Sequence, residues 1–517
     1  MKKILIAGAF AVSLLTGVEA APTDTVTQAD LKALIERITK LEAQNQAQAK
    51  RIAELEAGAK ATETKIKQTE VKVAAAAQAS AAAVAMDDGT TTNETGRIYT
   101  TAQGFKYYLA DASARIFEPL TESGLKFQPY GYLVLEGVYN TAGTDYPMYT
   151  DYVRPRHADN HGGKDHTATL SVNDSILGFN VFTPETYYGW KFNGKFEFDL
   201  AGADANHTDF HVRHLFWNME HEESGWSILF GQTWHLWKMV SPSEIDGAWM
   251  ENTGYPYRRS PQIRVTKKWK WDDSSLEARV GLVKNGPGMG GDRDHNGSQD
   301  NEQSAWCLFE GALVYDHVAA WDKDRSWLVG VGGQYGRDSS RRVTNYNGSN
   351  DREDWTYDGH NDSYNSDMVM LAGSLPFSIK DVGEFTLCGQ VFAGENLGGV
   401  QAGVGQNVAF KDPTRKGREV VTVGGFVDLN YKLNDVWSFA AGYGFDNPSV
   451  HNSDAVIDTH GDFAGITYND RSYVDAFYQW NDNLHFGLEY AYLRTKYVDS
   501  QEDNDSHRLQ FTVYYDF

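Results

Sequence analysis

The chain has 517 residues and a formal net charge of −23, from 70 acidic and 47 basic side chains. This excess of acid argues against nucleic acid as a partner, and the two cysteines, Cys307 and Cys388, are too few for a disulfide framework. The mean hydropathy is −0.51, and no run approaches the roughly 18 apolar residues that a transmembrane helix needs. A transmembrane β-barrel is not excluded, because its lipid-facing and lumen-facing residues alternate.

The N-terminus has the pattern of a secretory signal peptide. A basic pair, Lys2 and Lys3, precedes an apolar run up to Leu15, and a small-residue cleavage site follows. Residues 1–20 are therefore predicted to be removed on export. Residues 21–30 form a short N-terminal segment of the mature chain.

Apolar residues then repeat with a heptad period over residues 31–73, which predicts a coiled-coil stalk. Asn45 and Gln48 form a polar layer in its seam, a device that fixes register. The heptads do not distinguish a dimer from a trimer, and a single amphipathic helix packed on the following domain is the alternative. Residues 74–126 are interpreted as a linker that leads into the barrel domain, residues 127–517.

Beyond the linker the chain divides into about sixteen strand-like runs, an even number that is typical of outer-membrane barrels. Connections after odd-numbered runs are mostly long and those after even-numbered runs are short, so both chain ends are expected on the periplasmic side. The last run alternates apolar and polar residues and ends on an aromatic residue, as terminal strands of such barrels do. The runs lie near residues 127–139, 169–182, 189–200, 209–220, 225–232, 261–270, 275–284, 305–316, 326–337, 367–377, 384–393, 419–433, 436–446, 471–480, 484–496 and 507–517.

The third run indicates that lipid lies outside the barrel and water inside. One face carries the aromatic residues Trp190, Phe192, Phe196 and Phe198. The opposite face carries Lys191, Asn193, Lys195, Glu197 and Asp199, which is too polar for a dry core. The predicted fold class is an all-β transmembrane barrel of about sixteen antiparallel strands in the cell outer membrane, preceded by an N-terminal periplasmic coiled-coil helix.

Three segments carry a resemblance to a known family. They are Gly131–Tyr139 in the first run, Leu229–Trp234 at the end of the fifth, and Arg258–Arg264 at the start of the sixth. These segments resemble the DcaP-like family of trimeric outer-membrane porins. That family also carries an N-terminal periplasmic coiled coil, so the resemblance spans nearly the whole mature chain. Val134 departs from it, since a polar residue would be usual there. The resemblance implies a homotrimer with one pore per subunit, which takes small anionic solutes such as dicarboxylates.

Strand parity predicts a basic cluster on neighbouring inward faces, which adjacent strands about 4.8 Å apart bring together. The loop over residues 233–260 is expected to supply acids opposite this cluster if it folds into the lumen, and opposed charges would then sort ions by sign. The alternative is that these charges only keep the lumen wet. The candidate pore-lining or solute-binding cations are Lys191, Lys195, His211, Arg213, Arg264, Lys268 and Arg279. The candidate acids of the loop are Glu244, Asp246 and Glu251, and further inward acids are Glu136, Glu310, Asp428, Asp475 and Glu489.

One acidic loop has oxygen ligands at alternate positions and a glycine at the sixth, as calcium loops do. Its twelfth position is Gln303 instead of a glutamate, and no helices flank it, so an acidic surface loop is the alternative. No other cofactor is predicted. The candidate calcium ligands are Asp292, Asp294, Asn296, Asp300 and Glu302.

These observations predict an outer-membrane porin that forms a water-filled channel for small hydrophilic, anionic solutes. A structural envelope protein, whose stalk tethers the outer membrane to the cell wall, is an alternative of another class. A barrel enzyme is a third, but no nucleophile elbow, zinc-protease motif or phosphate loop marks one. The protein is therefore not expected to be an enzyme.

Overall fold

In this computed structural model, the chain forms two compact units, Met1–Glu94 and Thr95–Phe517. The first unit, with the predicted signal peptide and coiled-coil stalk, lies outside the residues that the structure describes. The described residues are 98–100, 106–108, 126–156, 163–183, 187–201, 210–285, 307–345, 356–410, 416–450, 455–458, 465–498 and 502–517. No helix in this part of the chain is long and apolar enough to cross a membrane.

The wall is a closed barrel in which every neighbouring pair of strands is antiparallel. Strands β4 and β5 both pair with β3, so they act as one interrupted strand and the barrel has 16 wall positions. The wall strands are β3 (Lys126–Asn140), β4 (Thr167–Ser171), β5 (Ile176–Phe182), β6 (Trp190–Asp199), β7 (His211–His221), β8 (Trp226–Trp234), β9 (Arg259–Lys270), β10 (Ser274–Val283), β11 (Leu308–Ala319), β12 (Asp322–Asn345), β13 (Thr356–Ile379), β14 (Gly383–Glu395), β17 (Val421–Lys432), β18 (Trp437–Pro448), β20 (Ile466–Gln479), β21 (Leu484–Tyr497) and β22 (Asn504–Asp516).

Two small sheets accompany the wall. Strands β1 (Ile98–Thr100) and β2 (Lys106–Tyr108) form a hairpin in the segment interpreted from the sequence as a linker. Strands β15 (Gln406–Phe410), β16 (Arg418–Glu419) and β19 (Ala455–Asp458) form a three-stranded sheet from two of the long connections.

The predicted fold class is confirmed, and each predicted strand-like run corresponds to one wall position. The main difference is length, since β12 and β13 have 24 residues each and continue as a paired hairpin through much of a connection predicted over residues 338–366. Backbone pairing holds this extension together, but it lacks the alternating pattern. Only the part of a strand that lies between lipid and lumen needs that pattern.

The outer surface is apolar and the inner surface is polar. On β22, Leu509 and Phe511 are 49% and 44% exposed, whereas Arg508 and Gln510, which alternate with them, are fully buried. A ladder of aromatic rings crosses six neighbouring strands near their shared end, with successive ring centres 4.7 to 6.2 Å apart. Such a ladder is the girdle expected at one membrane interface. Its rings belong to Phe377, Phe385, Tyr431, Phe439, Trp437, Tyr478 and Phe486.

Candidate functional site: a loop inside the barrel

The connection between β8 and β9, residues 235–258, runs through the inside of the barrel, and we call it the inner loop. Its side chains are largely buried, with Trp237 and Met250 showing no solvent exposure. It contacts inward-facing residues on widely separated parts of the wall, among them Glu310 of β11, Asp428 of β17 and Glu489 of β21. The sequence left open whether this loop enters the lumen, and the structure shows that it does.

The first turn of the inner loop is fixed to β11 and β12. The Leu236 backbone N–H donates a hydrogen bond of 2.9 Å to Glu310, and His235 lies 2.5 Å from the other oxygen of that carboxylate. The Trp237 indole N–H donates to the Gln334 side chain at 3.2 Å. Glu310 therefore anchors the loop, because its carboxylate supplies an acceptor that a buried backbone donor requires.

The middle of the inner loop is fixed by two arginines of the wall. Arg471 of β20 forms ion pairs with Glu244, with Asp246 at 2.6 Å and with Glu489 at 3.2 Å. Arg508 of β22 lies 3.1 Å from Asp246, and all five side chains are fully buried. The loop backbone also binds the wall, since the N–H groups of residues 245 and 246 both donate hydrogen bonds of 3.1 Å to Glu489. We call these five residues the latch.

In the second half of the inner loop, the backbone lies so close to β17 and β18 that side chains would not fit between them. Gly254 has a φ of +110°, and a Cβ on it would lie 2.2 Å from the Gly425 carbonyl oxygen. A Cβ on Gly444 would lie 2.2 Å from the Thr253 carbonyl oxygen. Glycine is therefore required on both sides of this crossing.

The loop acids, which were expected to lie opposite the basic cluster, are bound to other side chains in the structure. Glu244 and Asp246 belong to the latch, on the part of the wall formed by β20 to β22. Glu251 accepts a hydrogen bond of 3.1 Å from the Tyr257 hydroxyl, and burial followed by the nearby charge of Asp151 raises its pKa well above the usual value. These acids hold the loop in place, because a carboxylate brought into a buried site needs cationic or hydrogen-bonding partners.

The predicted cations do line up on the inward faces of β6 to β10, but most of them are paired with acids. Lys195 lies 2.9 Å from Glu197, and Arg213 contacts Glu197 at 2.8 Å and Asp199 at 2.7 Å. His211 lies 3.0 Å from Asp199. The remaining pairs are Lys191 with Glu222 at 2.7 Å, Lys268 with Glu277 at 3.7 Å and Arg279 with Glu277 at 2.6 Å.

Arg264 differs from the other predicted cations. It donates hydrogen bonds to the side chain of Gln262 at 3.0 Å and to the backbone carbonyl of Trp234. Within the part of the chain that the structure describes, no carboxylate forms an ion pair with it. Its charge is therefore not cancelled by a direct partner.

Two further cations of this kind were missed by the sequence reasoning. Lys238 lies in the inner loop with its ammonium 4.3 Å from the centre of the Trp234 ring, and the Arg259 guanidinium at the start of β9 is also 4.3 Å from that ring. Among the described residues neither has a carboxylate partner at ion-pair distance. Arg259 belongs to the segment Arg258–Arg264 that the sequence singles out, but only the inward course of the loop brings Lys238 to the same Trp234 ring.

The inward acids noted from the sequence lie on other strands and serve mainly as acceptors. Asp428 accepts from the Ser243 N–H at 3.4 Å and from the Tyr473 hydroxyl, and Glu136 accepts from Gln510 at 3.2 Å. Asp475 is directly opposite Glu489 in the β20–β21 register and is 1% exposed. Four of these five acids therefore lie around β17 to β22 and β3, whereas Glu310 lies on β11, next to β10.

Glu244, Asp246 and Glu489 have oxygens close enough to hold one metal ion, but the latch already uses them. One oxygen of each carboxylate contacts Arg471, and the other accepts backbone N–H groups. The guanidinium takes the place that a cation would need. The calcium candidate over residues 292–303 lies outside the described residues, so calcium binding there stays a prediction.

In comparisons of sequence, no protein-family model and no curated protein matches the chain. Among solved structures, it is similar to the outer membrane channel DcaP of Acinetobacter baumannii, with a TM-score of 0.54 and 16% identity over 77% of this chain and 99% of that chain. OprB of Pseudomonas putida aligns with a TM-score of 0.47 and 10% identity over 80% of this chain and 98% of that chain. An anion-selective porin from Comamonas acidovorans aligns with a TM-score of 0.45 and 11% identity over 76% of this chain and 100% of that chain.

The fold defines the class of protein, a transmembrane β-barrel of 16 antiparallel strands, and this fold is similar to that of an outer membrane channel. The resemblance to DcaP-like porins predicted from three sequence segments is supported at the level of this fold. The solute and the oligomeric state of this chain are separate questions, taken up as proposals below.

Proposed function

We propose that the protein is a porin, which forms a water-filled channel for passive diffusion of small hydrophilic, anionic solutes of the dicarboxylate type. A closed barrel of 16 strands is wide enough to hold water. The inner loop narrows this interior at a fixed position, and narrow places are where wall charges act most strongly on a passing ion.

One observation carries the anionic preference, the three cations without carboxylate partners at the junction of the inner loop with β8 and β9. They are Arg264, Arg259 and Lys238. Paired charges such as Arg213 with Glu197 largely cancel at a distance, whereas unpaired cations attract anions and repel cations. Exposed acids of the outer loops contribute little, because charges more than about 8 Å away are screened at physiological salt.

The proposal is tested by removing two of these cations together. Arg259→Ala combined with Arg264→Ala should shift the reversal potential in a potassium chloride gradient toward cations and slow the uptake of a dicarboxylate. Lys380→Ala is the matched control, because it removes a positive charge from an exposed turn between β13 and β14. Unchanged selectivity in the double variant would contradict the proposed position of the selective charges.

We further propose that the protein assembles as a homotrimer, as the DcaP-like resemblance implies, with the coiled coil of residues 31–73 as a second contact along the axis. Light scattering on detergent-extracted protein should give a trimer. A monomer both with and without residues 21–96 would contradict this.

The same deletion of residues 21–96 tests the predicted contact of the stalk with the cell wall. If the stalk tethers the two layers, the deletion loosens the envelope while conductance is retained. If the envelope stays intact and the conductance is normal after the deletion, the tether to the cell wall is contradicted, and the stalk would act only in assembly.

A further inference from the structure

Lys238 has an unusual environment for a lysine in a water-filled channel. Its ammonium lies 4.3 Å from the centre of the Trp234 ring, 5.9 Å from that of Trp249 and 6.0 Å from that of Tyr255. It donates a hydrogen bond of 2.9 Å to the Ser241 hydroxyl. Aromatic faces stabilise the charged form of an amine, but less than a carboxylate does.

Arg259 adds a second charge at the same place. Its guanidinium lies over the same Trp234 ring at 4.3 Å, and its Nη1 atom is buried with no hydrogen-bond partner among the described residues. A charged N–H group that is buried without a hydrogen-bond acceptor costs free energy, because it has lost its contacts with water. A small anion would supply that acceptor.

We propose that Lys238 and Arg259 form an anion-binding site in the lumen, and that Lys238 makes the affinity of this site depend on pH near neutrality. The inference rests on the proposed porin function and names the residue that tunes it. The ligands are small oxyanions and halides, because the site offers two cationic groups and an N–H donor without an acceptor.

Three arginines surround Lys238. Arg213 of β7 lies 5.9 Å from the centre of the Trp249 ring, and Arg279 of β10 donates a hydrogen bond of 3.3 Å to the Lys238 carbonyl oxygen. Arg259 of β9 lies 4.3 Å from the centre of the Trp234 ring that also packs on Lys238. The charges of Arg259 and Arg213 disfavour a proton on the lysine.

The uncharged and acidic neighbours do not reverse this effect. Tyr255 and Ser241 share a hydrogen bond of 2.9 Å, and Glu251 of the inner loop accepts a hydrogen bond from the Tyr257 hydroxyl. His214 of β7 packs against Trp234 with ring centres 5.7 Å apart, so it is a second titratable side chain beside this ring. It therefore serves as the control residue.

Burial, followed by the charges of Arg259 and Arg213, lowers the pKa of Lys238 from 10.5 to about 7. Below this pH the ammonium adds its charge to that of Arg259. Above it the amine is neutral, and Arg259 remains charged because a guanidinium does not lose its proton in this range. Anion preference should therefore be stronger at pH 6 than at pH 8.

The test is the chloride-to-potassium permeability ratio of the full-length protein in planar bilayers, measured from pH 5.5 to pH 8.5. The wild-type ratio should fall by about fivefold across this range, the size expected for one charge acting at about 4 Å in water. Lys238→Arg should keep the acidic value throughout, since its charge does not titrate. Lys238→Met should show the alkaline value throughout, and His214→Gln should retain the wild-type profile.

The outcomes separate this proposal from the porin proposal. A channel that prefers chloride with a flat pH profile, or a Lys238→Met variant with the wild-type profile, would overturn the role of Lys238 alone. A channel that shows no anion preference at any pH would overturn the proposed solute class as well. A loss of pH dependence in His214→Gln would assign the titration to that histidine and contradict the proposal.

Discussion

Arg471 on β20 and Asp246 in the inner loop are joined by a contact of 2.6 Å between guanidinium and carboxylate, and both side chains are fully buried. This pair connects the wall of the barrel to the segment that crosses its interior. The position of the inner loop inside the barrel therefore depends on buried charges.

Replacing Arg471 by methionine should release the inner loop. The change leaves Glu244, Asp246 and Glu489 with Arg508 as their nearby cation, and the loss of one partner from a buried ion pair costs about 3–5 kcal/mol. Single-channel recordings should show a larger or noisier current. Lys432→Ala is the matched control, because this lysine at the end of β17 forms an exposed pair with Asp435, worth about 0–1 kcal/mol. Identical traces for Arg471→Met and wild type would show that the latch does not position the loop.

The contacts of Asp246 with its two arginines should withstand mild acid, although burial raises the pKa of Glu244, which shares Arg471, well above the usual value. Burial raises the pKa of Asp246, but the charges of Arg508 and Arg471 outweigh it and hold the pKa below the ordinary value of 3.8. A carboxylate with a lowered pKa contributes its stability fully above the ordinary value and loses it as the pH falls through the lowered one. Current noise should therefore stay constant from pH 7 to pH 5 and increase below about pH 4. An increase already at pH 6 would mean that another group controls the loop.

The crossing of the inner loop over β18 should not tolerate a methyl group at residue 444. A Cβ there would meet the Thr253 carbonyl oxygen at 2.2 Å and the Met250 side chain at 2.6 Å. Gly444→Ala should displace the loop at a cost of about 1–3 kcal/mol and change the unit conductance. Gly311→Ala on β11 is the control, since its nearest neighbour would be 3.5 Å away. Equal conductance in the two variants would contradict the close approach.

Two arginines of the same wall should behave differently when each is replaced by alanine. Arg213→Ala uncovers the buried acids Glu197 and Asp199, so it should both shift selectivity strongly toward cations and destabilise the barrel by about 3–5 kcal/mol. Arg264→Ala removes a cation that has no carboxylate partner among the described residues, so it should shift selectivity with little loss of stability. Thermal unfolding combined with reversal potentials checks both. A stability loss as large for Arg264→Ala as for Arg213→Ala would refute this distinction.

The wall of the barrel was predictable because lipid imposes a rule on every strand. Leu509 and Phe511 must face outward, so the period of two is written into the sequence wherever a strand crosses the membrane. The extension of β12 and β13 was missed for the same reason, since it is held by backbone pairing that needs no alternation.

The candidate site was predictable only in part. Parity placed Lys195, Arg213 and Arg264 on inward faces, but it could not show that Glu197 would neutralise two of them. The alternation of inward and outward residues is also interrupted at Arg213. A register shift between β6 and β7 leaves Arg213 without a partner on β6. As a result, His214 faces inward as well as Arg213.

The course of the inner loop could not be read from local sequence. It is decided by contacts between residues more than 200 positions apart, such as Asp246 with Arg471. Both residues are present in the sequence, but the sequence around each of them does not indicate that they form a pair. Lys238 and Arg259 were overlooked as a consequence, because the loop has to enter the barrel before the lysine reaches the Trp234 ring.

The central claim is that the cations at the junction of the inner loop with β8 and β9 make the channel favour anions, although the chain carries a net charge of −23. The most direct test is the reversal potential of the wild-type protein across a planar bilayer with a potassium chloride gradient at pH 6. We predict a current through single channels and a reversal potential of the sign set by chloride. A preference for potassium, or no current from correctly folded protein, would contradict this account.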